Sequence, residues 1–363
     1  MSVLHSFNGT DGQAPGTTLT LCGSTLYGTT QYGGSSGDGT VFSVNKDGTD
    51  FAVLHSFDDE MGGPQSGLTL CGAKLYGTTY GGGANGWGTV FSINLDGSDY
   101  QVVYSFSYTT TNGAGPVSGL TLMGSTLYGM TQYGGSDNCG TVFSVGVDGT
   151  DFSLLHSFSE SSNNGLHPHR NSLVVHGSTV YGMTPWGGSY EKGTLFSVDV
   201  DGSDFQLMHS FGGSGDGSWN FGNLVLKDET LYGSTWGGGG LFSIGTDGTG
   251  YSIIHTGGGN SDLTLIDSTL YGTKGGDGSV FSYNIDSDEY NTIYEFGSNP
   301  DDGTAPRGGV VVCGSDIYGT TTRGGVNDLG VVFALPIPEP SALILFAFGL
   351  VSFPFFTWRR RLM

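Results

Sequence analysis

A Tyr-Gly pair, set in phrases such as Leu-Tyr-Gly-Thr-Thr, returns seven times along this chain, at Tyr27, Tyr76, Tyr128, Tyr181, Tyr232, Tyr271 and Tyr318. Successive tyrosines lie 49, 52, 53, 51, 39 and 47 residues apart. A period of this size with strand-like content is the mark of a closed ring or a stacked array, whose units bury their apolar faces only against neighbours. Function in such a chain sits on displayed loops rather than in one inherited pocket.

The residues of one unit dictate four short strands. Leu19-Thr20-Leu21-Cys22 and Thr25-Leu26-Tyr27-Gly28-Thr29-Thr30 alternate and are separated by Gly23-Ser24. Thr40-Val41-Phe42-Ser43-Val44 and the run from Phe51 to Phe57 are rich in β-branched and aromatic residues, which suit a half-buried pleat. Asp47-Gly48 between them is a strong hairpin signal, because its turn needs positive φ. The turn recurs at Asp96-Gly97, Asp148-Gly149, Asp201-Gly202 and Asp247-Gly248. No segment before the C-terminal tail shows a sustained helical period.

Seven four-stranded units predict an all-β, seven-bladed β-propeller over residues 1–335, with a β-solenoid as the alternative. The chain ends favour the ring. Val3-Leu4-His5-Ser6-Phe7 is a lone fourth strand, and the last unit has only three. The first strand therefore completes the last blade and closes the circle. The second-to-third-strand loops (31–39, 80–88, 132–140) and the blade-to-blade links (58–67, 107–119, 159–172) are long, and in an up-and-down sheet both emerge on one face. That face is the expected working surface.

Charged residues make up 12% of the 363, and 68 glycines serve turns and loops. The formal charge is −22; the tail after Leu335 carries Glu339 against three arginines, so the ring stands at −24. A field of this sign disfavours nucleic acid and anionic lipid. Cys22, Cys71 and Cys313 share one repeat position and Cys139 stands alone in a loop, so no disulfide framework or C-x-x-C site is expected.

Catalytic motifs are weak. Gly33-Gly34-Ser35-Ser36-Gly37 and Gly81-Gly82-Gly83-Ala84-Asn85-Gly86 match short patterns without the strand-turn-helix context that gives them meaning. His5, His55, His156, His209 and His255 alternate with Tyr104 and Tyr294 at one fourth-strand position, which reads as packing or hydrogen bonding. His167 and His169 flank Pro168 in a long link, too few ligands for a metal site. The aspartates at the hairpin turns leave calcium as the one cofactor to consider, with Asp199-Val200-Asp201-Gly202-Ser203-Asp204 nearest to a calcium loop; turn chemistry is the simpler account. An aromatic precedes Gly-Gly on the long-loop face at Tyr32, Tyr80, Tyr133, Trp186 and Trp236. These rings read either as packing between blades or as a sugar-stacking platform for a polysaccharide.

The tail is of another kind. Pro338-Glu339-Pro340 lies in a linker over 336–340, and the 18 uncharged residues 341–358 follow, long enough as a helix for about 27 Å of bilayer. Arg359, Arg360 and Arg361 fall in the terminal stretch 359–363, which the positive-inside rule places in the cytoplasm with the ring on the other side. This order resembles the PEP-CTERM sorting signal of exported bacterial proteins. The resemblance implies recognition by an exosortase-type sorting protease, transient membrane anchoring through 341–358, and delivery to the cell surface or medium. The repeats, with Leu-Tyr-Gly-Thr-Thr followed by Gly-Gly and Gly-Thr-Val-Phe-Ser, resemble those of the choice-of-anchor "GloVer-containing" bacterial proteins over 1–335, a family that carries no activity across. Met1-Ser2-Val3 runs straight into a strand, so an export signal is expected upstream.

Three functions follow from these readings. The first is a non-enzymatic surface protein with a structural or interaction role, and the second a carbohydrate-binding version of it. The third, a propeller hydrolase or lyase, needs acidic residues at the axis, where the innermost strands offer threonine.

Overall fold

The computed structural model describes residues 1–338 apart from 59–61, 258–261, 276–277, 298 and 300. The helix expected over 341–358 and the sorting-motif residues Glu339, Pro340, Arg359, Arg360 and Arg361 lie outside the described residues; Pro338 lies within them. Seven four-stranded antiparallel sheets make the blades of a propeller, and the last strand ends at Pro336. In blade 1 the strands run Thr20–Cys22, Thr25–Thr30, Thr40–Asn45 and Ala52–Ser56, from axis to rim, and six further blades repeat this order.

The Tyr-Gly marker has a packing cause. A Cβ at Gly28 would lie 2.5 Å from Cζ of Phe42 on the neighbouring strand, and the same collision recurs at Gly77, Gly129, Gly182, Gly233, Gly272 and Gly319, at 2.5–2.7 Å. Glycine is required because the edge of a fully buried phenylalanine, Cζ and Cε1, occupies the space a Cβ would take. The tyrosine beside it packs into the next blade. Tyr27 joins Leu68, Leu75 and Phe91 of blade 2, and Tyr318 of blade 7 joins Leu19, Leu26 and Phe42 of blade 1. The core is thus a ring of inter-blade clusters, where each fully buried phenylalanine contributes roughly 1.5–3 kcal/mol.

Closure follows the expected route. Ser2–Ser6 pairs antiparallel with Val331–Pro336, with Ser2 opposite Ala334 and Ser6 opposite Val331. Its register slips between Val3 and His5, as it slips between Val41 and Phe42 in blade 1 and at the equivalent place in every other blade. Such a bulge bends and twists the outer strand around the rim. The N-terminal strand carries the same bend as the six continuous ones, and Phe7 N–H donates to Gly330 O (3.1 Å) as Phe57 N–H does to Gly39 O (3.0 Å).

The recurrent rim histidine stacks on an aromatic of the next blade, and at His5, His156 and His209 it also hydrogen-bonds. His5 stacks on Phe51 of blade 1 with ring centroids 3.5 Å apart, and His156 on Phe205 of blade 4 at 3.7 Å. Each then reaches into the adjoining link: His5 Nε2 meets Asp11 at 3.0 Å, His156 Nε2 meets Asn164 Nδ2 at 3.0 Å, and the substitute Tyr104 meets Asn112 at 2.7 Å.

Both long loop sets share one face, and they are zipped together. Backbone bridges join Gln13 to Tyr32, Pro64 to Thr79, Leu166 to Trp186 and Ser218 to Trp236. Gly113–Pro116 in link 107–119 extends this into a strand on Thr126–Gly134.

Candidate ligand site at the axis

Around the axis, an innermost threonine latches four of the seven blades to the next, while blades 4, 5 and 7 carry Val174, Val225 and Val311 at that position. Thr20 Oγ1 donates to Leu68 O (2.5 Å), Thr69 Oγ1 to Leu120 O (2.5 Å) and Thr121 Oγ1 to Leu173 O (2.6 Å). Two residues earlier, nearer the long-loop face, the repeat places Thr18, Gly67, Gly119, Ser172, Asn223, Asp262 and Gly309 in a collar. The collar is tight: a Cβ at Gly119 would lie 2.3 Å from Ser172 Oγ, and one at Gly309 2.8 Å from Asp262 Cβ. Asp262, the one charged member, draws three blades together by accepting from Thr18 Oγ1 (2.8 Å) and from Asn223 N–H (3.0 Å).

At the collar the links and loops enclose a cavity of about 910 Å³, lined among others by Gln65, His169, Arg170, Trp186, Phe221, Trp236, Asp262, Lys274 and Arg307. Its size falls in the range of ligand pockets. Local chemistry fixes each wall. Thr184 Oγ1 and Leu166 N–H both donate to Trp186 O at 2.9 Å, which holds the tryptophan against link 159–172. Ser218 N–H holds Trp236 in the same way at 2.8 Å. The rings of Trp186, Phe221 and His169 meet edge-to-face, with centroids 5.4–6.2 Å apart.

Arg170 comes in from the third link and donates through Nη2 to Gln65 Oε1 (3.1 Å), which also accepts from Gln31 Nε2 (2.9 Å). Burial, and then the like charge of Arg307, lower its affinity for its proton, while Tyr32 and Asp262 act in the opposite sense. His169 is pushed down to about 4 by burial and by Arg170, so its ring is neutral at ordinary pH. Burial holds the Asp262 carboxyl above the usual carboxylate value against the hydrogen bonds of Thr18 and Asn223 and the field of Arg170. The cavity therefore joins aromatic walls, basic groups and one carboxyl of weakened acidity, a combination common at binding and catalytic sites.

Of the five aromatics read from the sequence, the structure brings Trp186 and Trp236 to the cavity. Tyr32 lies within electrostatic reach of Arg170. Tyr80 and Tyr133 flank Gly115 on another sector of the face, Tyr133 edge-on to His167 at 5.4 Å. His167 and His169 turn to different partners, the former through Nδ1 to Gln132 O (3.0 Å). Among the described residues no group of three or more His, Cys, Asp or Glu is placed to hold a metal ion. The turn aspartates serve their own turns: Asp47 Oδ1 accepts from Thr49 N–H (3.0 Å) and Oγ1 (2.6 Å), which lowers its pKa, and the same holds at Asp96, Asp148, Asp201 and Asp247. All four cysteines are free.

Gln65, Arg170, Phe221, Asp262 and Arg307 escaped the sequence reading. The usable signal was departure from the repeat: Asp262 stands where Gly67, Gly119 and Gly309 stand elsewhere, and arginine is rare in the ring. A stacked, half-exposed pair on the same face, Trp87 and Tyr108 with centroids 4.8 Å apart, was also missed.

Comparison with known proteins decides the family. The sequence profile of the Gloeobacter/Verrucomicrobia repeat matches residues 1–139 and 107–273. The chain belongs to this repeat family. The PEP-CTERM protein-sorting motif matches residues 336–361, which marks this Gloeobacter/Verrucomicrobia repeat protein for export and surface sorting. No curated protein matches the chain. Solved structures share its fold at low identity. An oligogalacturonate lyase in complex with manganese aligns with TM-score 0.58 and 11% identity, over 90% of each chain. BamB from Moraxella catarrhalis gives 0.51 and 14%, over 90% of this chain and 96% of its own. A chain of a nidogen/laminin complex gives 0.50 and 14%, over 74% and 93%. At such identities the likeness concerns the fold alone.

Proposed function

We propose that this protein is a non-enzymatic binding module of the cell surface or surrounding matrix, and that its axial cavity on the long-loop face takes a saccharide. The observation that carries this is the convergence of Trp186 and Trp236 on one cavity, beside Phe221 and hydrogen-bonding groups from several blades. Flat rings that pack on the apolar faces of sugars, next to donors and acceptors for hydroxyls, form the usual platform for a saccharide. The repeat architecture supports a display role, since its regular part is scaffold and its irregular loops share one face. On this reading an exosortase-type sorting protease processes the tail after transient anchoring through 341–358, and the ring then works outside the cytoplasm.

The test is binding of the purified ring (residues 1–338) to an array of neutral and acidic polysaccharides, beside Trp186→Ala and Trp236→Ala. We expect retention of at least one class, weakened about tenfold or more by either change, since one stacked ring contributes about 1.4 kcal/mol or more. Retention of no class defeats the saccharide reading. Turnover of a retained glycan, followed by release of reducing ends, defeats the non-enzymatic one.

A further inference from the structure

The charge at the cavity is the reverse of the charge of the molecule. The ring stands at −24 and holds eight of the eleven Lys and Arg residues, three of them arginine. Two of those three, Arg170 and Arg307, line the cavity, and Lys274 joins them. The ion pairs of the described residues lie elsewhere, at Lys74–Asp99 and at His5, His176 and His209 with their carboxylate partners. Gathering cations in a buried place is unfavourable, and the proton affinity of Arg170 is lowered first by burial and then by the like charge of Arg307. A bound anion would relieve it.

We infer that the axial cavity selects anionic saccharides, with Arg170 and Arg307 pairing to the carboxylate or sulfate groups of an acidic glycan whose sugar faces lie on Trp186 and Trp236. The inference rests on the saccharide reading above and narrows it. A guanidinium offers five donors in a planar fork that matches a carboxylate or a sulfate ester. Arg170 gives one of them to Gln65, which holds the fork in place. Asp262 is the carboxyl in the cavity that opposes such a ligand, but it accepts from Thr18 and Asn223, and its raised pKa shows that burial disfavours its charge. Against a ring that stands at −24, the Arg170, Lys274 and Arg307 cations at the cavity favour entry of a polyanion there.

The experiment is calorimetric titration of the ring with four probes: an oligouronide, its fully methyl-esterified form, a sulfated galactan oligomer and a neutral glucan oligomer. Esterification removes the charge and keeps the sugar. We expect the oligouronide or the sulfated oligomer to bind at least about thirtyfold more tightly than the ester and the glucan, the difference between them telling carboxylate from sulfate recognition. That preference should shrink with added salt and disappear in Arg307→Gln and in the double Arg170→Gln/Arg307→Gln variant. Arg307 is exposed, so its single variant decides the matter if the double one fails to fold. Equal binding of the charged and uncharged probes overturns the inference and leaves the saccharide reading standing. A charge preference that survives Arg307→Gln in a folded protein also overturns it. Binding of none of the four removes both.

Discussion

One contact is made once in each of the seven blades, a strand glycine under the edge of a buried phenylalanine, from Gly28 and Phe42 to Gly319 and Phe333. At the collar the seven equivalent positions carry Thr18, Gly67, Gly119, Ser172, Asn223, Asp262 and Gly309, and their partners differ as much as their side chains. The blade interior must close a circle of like wedges, so one solution is repeated. The axis has no such need once latched. Its variation creates a cavity whose sides differ, with tryptophan from blades 4 and 5 and cations from the third link, blade 6 and the last link. Regularity here holds the fold, and departure from it builds the site.

The largest expected effect comes from breaking the ring at its seam. Deleting residues 1–7 removes the fourth strand of the last blade and the fully buried Phe7, and leaves the edge of Val331–Pro336 open. The expected loss is more than about 5 kcal/mol, a large part of a domain's stability, with aggregation through the open edge. Calorimetry and size-exclusion chromatography would measure both. A truncated protein that melts like the intact one would show that the seam is not structural.

Next comes the repeated contact itself. Gly182→Ala places a Cβ 2.5 Å from Phe196 Cζ and 2.6 Å from Leu173 Cδ2 in a closed interior, for a cost of about 3 kcal/mol. Phe196→Ala alone costs about 3–5 kcal/mol. In the double variant the new methyl enters the space the ring has left, so the two losses should fall short of their sum by 1 kcal/mol or more, roughly the coupling seen between contacting residues. Additive losses in denaturant titrations would mean that the glycine has another reason to be there.

The Tyr-Gly period, the Asp-Gly turns and the unmatched first strand make the ring, its seam and its busy face legible in the sequence. The same period concealed the site. A repeat displays what its copies share, whereas arginine stands three residues before the innermost apolar residue in two copies only, as Arg170 and Arg307, and the Asp262 carboxylate stands at its position in one. They meet only because collar and links curl over the axis, across sequence separations such as the 105 residues between Gln65 and Arg170. Of the aromatic platform, the two tryptophans reached the cavity, while Tyr80 and Tyr133 pack about Gly115.

A smaller effect contrasts two rim positions. His156 accepts from Asn164 in a buried place, and burial holds its pKa at about 4. The unfolded chain, with a histidine near 6.5, takes up the proton first. Stability is therefore complete above about pH 6.5 and falls as pH drops toward 4, by up to roughly 3 kcal/mol. Tyr104 fills the same role one blade earlier, bonded to Asn112, without a proton to gain in this range. His156→Tyr should keep the fold and flatten the acid limb of the stability curve. The remaining slope is shared by His169 at the cavity, held at about 4, and by His5 and His55, whose pKa values burial also lowers. A variant curve parallel to that of the wild type between pH 7 and 4 would assign the acid sensitivity elsewhere.

The smallest effect is at the axis, and its size is the argument. Arg307 is exposed, and no salt bridge among the described residues depends on it. Arg307→Gln should leave stability within about 0.5 kcal/mol of the wild type, as surface changes usually do. It nevertheless removes one of the two guanidiniums from the cavity, so the effect should appear in binding alone. The opposite pattern is expected of Phe333→Ala on the same blade, which should cost about 3–5 kcal/mol through a lost buried ring while leaving every cavity-lining residue in place. Melting both variants and titrating both with an acidic oligosaccharide separates scaffold from site within one blade. If Arg307→Gln instead melts far below the wild type, the axis is part of the framework after all, and the division between a repeated interior and a free axis fails at that point.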